Sequence, residues 1–86
     1  MKLEIVTIKD AKSREYNRPA FESSVESALR SFGVLCSEDP ARSLPAMYPA
    51  DFDLWHLGTF DTTTGNIEIV RPPLHLANGM DVKVHS

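Results

Sequence analysis

Cysteine is nearly absent: Cys36 is the only one in the chain, so no internal disulfide can close and no thiolate cluster can hold a structural zinc. That scarcity favours a reducing cytosol. Length is also short, since 86 residues leave no room for two hydrophobic cores; one domain over residues 1–86 is expected. No apolar run approaches the ~18 residues of a membrane span. The opening Met1-Lys2-Leu3-Glu4 puts charge where a signal peptide needs its apolar stretch, so neither secretion nor membrane insertion is expected. Positive charge is in deficit, at nine lysines and arginines against twelve acids. A passive nucleic-acid coat depends on cations displacing counterions from phosphates and is disfavoured, although a local basic patch is not excluded.

What is present is the composition of a folding chain, 42% apolar and 24% charged, not of a disordered one. A domain this small usually needs a disulfide, a metal or a partner subunit. With the first two lacking, a homodimer is the expected reinforcement.

Residues 2–9 read as a strand apolar on both faces, hence central or covered, and residues 10–19 as an exposed polar loop. Ser23-Ser24-Val25-Glu26 fits a capping box opening a helix. Its stripe is Phe21, Val25, Ala28, Leu29 and Phe32, with Gly33 as terminator unless the helix runs on to Leu35. Prolines 40, 45 and 49 make 37–50 an irregular connection, with one helical turn after Asp39-Pro40. Residues 53–60 and 66–70 read as a hairpin around the turn Asp61 to Gly65. Pro72-Pro73 is expected to end the second strand, 74–78 to form a short turn, and Met80, Val82 and Val84 to alternate in a last strand. The fold class is α+β, a small, mostly antiparallel sheet with one main amphipathic helix packed on it.

Catalytic constellations are lacking. His56, His75 and His85 are widely spaced, with no pair on one element that would suit a metal, and Cys36 has no adjacent histidine to activate it. The turn at Asp61 lacks the alternating acids of a calcium loop and the glycine-lysine pair of a phosphate loop. No enzyme activity, metal or cofactor is expected. Two sets of residues are candidate binding surfaces. Lys9, Lys12, Arg14 and Arg18 surround Tyr16, and could grip phosphates while the ring stacks on a base, the plainer alternative being a solvated loop. Arg71 could extend that basic face. Among Tyr48, Phe52, Trp55 and Phe60, core packing combined with a dimer interface at Trp55 and Leu57 is preferred over base stacking, because both sides of the 53–60 strand carry bulk.

The chain also resembles the small nonstructural protein of gokushoviruses, tailless single-stranded-DNA microviruses of bacteria. The likeness lies in Met1-Lys2-Leu3 with Ile5 and Thr7, in Arg30-Ser31-Phe32, and above all in the stretch from Pro49 through Phe52, Trp55 and His56 to Asp61, followed by Gly65. That family is likened to the microvirus C protein, which turns replication from duplex to single-strand synthesis coupled to packaging. The resemblance implies a viral accessory protein in the host cytoplasm that binds single-stranded viral DNA, the replication complex or procapsid proteins, without chemistry of its own. A dimeric scaffolding protein that does not touch DNA is the alternative. Five acids against one base between Glu38 and Asp61 would repel DNA over that surface and favour protein partners.

Overall fold

β-Branched and apolar residues at Ile5, Val6, Thr7 and Ile8 suit a pleated, covered strand, and Lys2–Asp10 forms β1 at the middle of the sheet. The computed structural model describes residues 1–83. After β1 come β2 (Glu15–Tyr16), β3 (Ala20–Glu22), α1 (Val25–Cys36), α2 (Leu44–Met47), a 3-10 turn (Pro49–Asp51), β4 (Phe52–Asp61), β5 (Ile67–Asn78) and α3 (Gly79–Val82). The sheet runs β2-β1-β4-β5, with β3 also pairing β1. Every pairing is antiparallel. The α+β expectation therefore holds, with α1 as the main helix.

Side chains alternate between the faces of a strand, and register decides what each face receives. Val6 pairs with His56 and Ile8 with Leu54. Val6 and Leu54 meet Ala28, Phe32 and Cys36 of α1, together with Phe52, in the buried core. This is the helix-covered face. Leu3, Ile5, Thr7 and Lys9 point the other way, as do their partners Phe60, Gly58, Trp55 and Asp53.

Several local expectations are corrected. The helix cap is Ser24, not Ser23: Ser24 is extended, and its Oγ accepts from the Ser27 amide at 3.0 Å. Glu26 therefore falls one position short of a capping box. The cause is β3, which holds residues 20–22 against β1 and delays the helix; Phe21 consequently lies on the sheet, not in the helical stripe. Gly33 does not terminate α1, which runs to Cys36; a Cβ there would stand 3.0 Å from the Val82 carbonyl oxygen, so the missing side chain lets α3 lie close. The segment 10–19 holds the short strand β2. Within 37–50, the turn after Asp39 is present, closed by the Arg42 amide on the Asp39 carbonyl at 2.9 Å. That segment also holds α2, capped by Ser43 with Pro45 in its first turn, where no amide donor is needed.

Pro72-Pro73 does not end β5. Gly58 pairs with Ile69 and His56 with Leu74, so residues 70–73 bulge opposite Leu57, where the missing proline N–H groups cost no ladder bonds. Residues 74–78 continue the strand. The expected last strand is instead the helical turn α3, closed by a capping box between Asn78 and Asp81. Val84 and His85 lie outside the described residues.

Cys36 is fully buried, and burial pushes its thiol above the ordinary range, partly opposed by the positive charge of Lys83. The folded state thus holds this proton more tightly than the unfolded chain. The group's contribution is full below the usual thiol range and falls as pH rises through it. Urea titrations across alkaline pH are expected to show stability dropping above that range in the parent chain and a shallower drop in Cys36→Ala.

Candidate functional site

The sheet face turned away from α1 divides into two halves of different chemistry. Near the β1–β2 hairpin it is aromatic and polar. Lys9 pairs with Tyr16 across β1 and β2, which sets the ammonium 5.0 Å from the centre of the tyrosine ring, within cation–π range. Tyr16 meets Trp55 edge-on at 6.2 Å, and Trp55 meets His75 edge-on at 5.1 Å. Register explains the row, since Trp55 is the ladder partner of both Thr7 and His75. Three rings and one cation therefore cross the sheet from β2 to β5. Tyr16 and His75 are nearly half exposed, whereas Trp55 is partly covered between them, its Nε1 buried without a hydrogen-bond partner among the described residues.

Asp53 bounds this row as the ladder partner of Lys9. Its Oδ1 accepts from the Asn78 side chain at 3.1 Å and lies 2.9 Å from His75 Nε2. Asn78 also donates to the Ala50 carbonyl at 3.0 Å, so one amide fixes the start of β4, the end of β5 and α3. The carboxylate's charge is spread among these partners. This Asp–His pair has no serine, threonine or cysteine among the partners that its hydrogen bonds give it, and reads as a clip that sets the His75 ring.

The other half of the face is apolar. The ladder row Leu3–Phe60–Ile67 lies beside the row Phe21–Ile5–Gly58–Ile69, and Phe21 meets Phe60 edge-on at 5.8 Å. A groove of about 450 Å³ opens beside this second row, lined by Ile5, Leu57, Ile67, Ile69, Val70, Arg71 and Pro73.

The structure thus places Lys9 and Tyr16 together, with Lys12 and Arg14 at the exposed tip of the same hairpin. Arg14 takes a left-handed φ of 62° and its amide closes the turn on the Asp10 carbonyl at 2.8 Å. Arg18 departs from this group, lining a cleft between β1 and α1 with Val6, Ala28 and Phe32. Arg71 departs further. It sits in the β5 bulge, two strands from β1, roughly 10 Å across the sheet and about as far along it from Lys9. Trp55 and Leu57 share the open face but fall in different halves. Phe52 belongs to the core, Phe60 to the open face, and Tyr48 is exposed beyond α2.

Ile5, Phe21, Ile67, Ile69 and His75 were not named as surface residues from sequence. Ile67 and Ile69 flank Glu68 at strand spacing, a usable signal for a shared face. Phe21 gave none, because its spacing to Val25 imitates a helix. Among the described residues no group of three or more His, Cys, Asp or Glu gathers as for a metal. Glu4 and His56, on the helix-covered face, approach to 3.4 Å without hydrogen-bond geometry. No described helix is long and apolar enough to cross a membrane.

A family model described as Phage ORF5 protein matches residues 3–82. No curated protein and no solved structure matches the chain.

Proposed function

This chain belongs to the Phage ORF5 protein family, and from that premise we propose that it is a non-enzymatic phage accessory protein that binds single-stranded DNA. Its place of action is the cytoplasm of the bacterial host, in single-strand synthesis and genome packaging, through contact with the DNA and the replication complex. The likeness to the gokushovirus nonstructural protein supplies the process. The row of Lys9, Tyr16, Trp55 and His75 on an uncovered sheet face carries the reading. Rings on a strand surface offer stacking platforms to unpaired bases, and a neighbouring cation meets the phosphate. Lys12 and Arg14, at the tip of the same hairpin, extend the positive edge. An acidic chain that grips DNA at one such edge binds modestly and with strong salt dependence.

Fluorescence anisotropy of a labelled oligothymidylate at low salt tests this. The parent chain is expected to bind and to be released by salt. Tyr16→Ala is expected to weaken binding about 5- to 100-fold, the worth of one stacked base, and Lys9→Gln to flatten the salt slope by about 0.7. Arg71→Gln, in the apolar half, is expected to change neither. Absence of retention by the folded parent chain, or unchanged affinity in Tyr16→Ala, sinks the DNA reading. The acid-rich run from Glu38 to Asp61 then favours a second one, a scaffolding protein that works through protein contacts alone.

A further inference from the structure

We infer that His75 is a phosphate ligand of the open face, acting through Nδ1 in its protonated form, so that each chain takes up a proton as it binds single-stranded DNA. This rests on the DNA reading above and changes the part His75 plays in it, from stacking platform to charged contact. The tautomer is assigned from the partners of the ring. Asp53 Oδ1 lies 2.9 Å from His75 Nε2, and an ionised carboxylate can only accept. The same oxygen already accepts from the Asn78 side chain at 3.1 Å. Nε2 therefore carries the hydrogen, and in the neutral ring Nδ1 is left with a lone pair. Nδ1 has no hydrogen-bond partner among the described residues, and its side chain is 46% exposed.

Phosphate oxygens are acceptors too, so the neutral ring would set lone pair against lone pair. A second proton turns Nδ1 into a donor and makes the contact charge-assisted. Asp53 keeps its hold on Nε2 in both forms and balances the imidazolium charge. Asn78, which donates to the Ala50 carbonyl at 3.0 Å, anchors Asp53 in turn, so the ring is placed before any strand arrives. Position in the sheet agrees. His75 ends the row on β5, and Lys9 stands on β1, so Trp55 on β4 lies between two cations once His75 is protonated. Of the charged and titratable groups on neighbouring elements, Asp53 of β4 touches the ring, and Lys9 and Tyr16 lie across Trp55. Asp81 of α3 accepts from the Asn78 backbone amide at 2.9 Å, and Arg71 lies farther along β5. In such a set only an imidazole ordinarily changes charge between about pH 5 and 8.

At fixed salt, the affinity of the full chain for oligothymidylate is expected to fall about 10-fold or more as pH rises from about 5.5 to about 8, the worth of one charged hydrogen bond. His75→Phe keeps a ring and loses the proton, and is expected to bind at both pH values as the parent does at the higher one. His85→Gln is expected to keep the full dependence. In the free parent chain at the higher pH, long-range proton–nitrogen NMR is expected to place the His75 hydrogen on Nε2. Adding oligothymidylate is expected to move the titration midpoint of His75 upward, further than inorganic phosphate at the same phosphate concentration. Binding that ignores pH, a dependence that survives His75→Phe, an Nδ1–H tautomer, or a midpoint that stays in place or rises equally with inorganic phosphate overturns the proposal and leaves the DNA reading standing. A folded chain that retains no oligothymidylate at either pH removes both. Should His75→Phe fail to fold, the tautomer and the midpoint in the parent chain decide.

Discussion

Phe32→Ala is expected to destabilise the domain by about 3–5 kcal/mol, the range for truncating a buried phenylalanine. Phe32 is among the largest fully buried side chains, and it lies at the meeting of α1 with β1 and β4, among Val6, Ala28, Cys36 and Leu54. Those neighbours stand on hydrogen-bonded strands and on the helix itself, so they cannot collapse into the space and a cavity remains. A chain of 86 residues has a total stability on the order of 5–10 kcal/mol, and the variant loses half or more of it. Urea denaturation followed by circular dichroism measures this as a fall in midpoint with little change in slope. A loss below about 1 kcal/mol would show that the core is not centred on Phe32.

Gly58→Ala is expected to cost at least about 3 kcal/mol, the upper end of overpacking penalties. Its added methyl would lie 2.1 Å from the carbonyl oxygen of Glu68 and 3.2 Å from the Cα of Ile69. Both neighbours are backbone in the paired strand, so no side chain can swing aside. Relief requires β5 to separate from β4 at the bulge, and amide exchange at Ile67 and Ile69 is expected to quicken before global unfolding. Gly65→Ala serves as the comparison. Gly65 has a φ of +79° and open space around it, so alanine there meets only the left-handed backbone cost of about 1–2 kcal/mol. Similar losses in the two variants would remove the close approach as the reason for glycine at 58.

Legibility in the sequence followed the range of the interactions. The turn from Asp61 to Gly65 was readable because its stabilising contacts are local: the Gly65 amide reaches the Asp61 carbonyl at 2.8 Å and the Thr63 amide the Asp61 carboxylate at 2.9 Å. The main helix was readable from its stripe. Its first residue was not, since the Ser23-to-Glu26 spacing points to Ser23 as the cap until β3 pairs with β1 and moves it to Ser24. Pro72-Pro73 signals a break in any isolated strand, and only the unequal pairing of β4 with β5 turns that break into a bulge. Of the binding residues, Lys9 and Tyr16 were chosen for type and proximity in sequence, whereas His75 enters their row through ladder partners far along the chain.

The residues by themselves determined that this chain forms a small α+β domain with a central first strand, a main amphipathic helix and a hairpin, because strand alternation, helical stripes and turn chemistry act within a few neighbours. Tertiary structure alone decided which side of the sheet α1 covers, and so which apolar side chains stay uncovered. Alternation marks two faces without saying where the helix will lie. That choice rests on antiparallel register: the pairing of β3 with β1 and the bulges at Leu57 and residues 70–73 set Phe21, Ile67 and Ile69 on one face, while Phe32 of α1 packs behind the other.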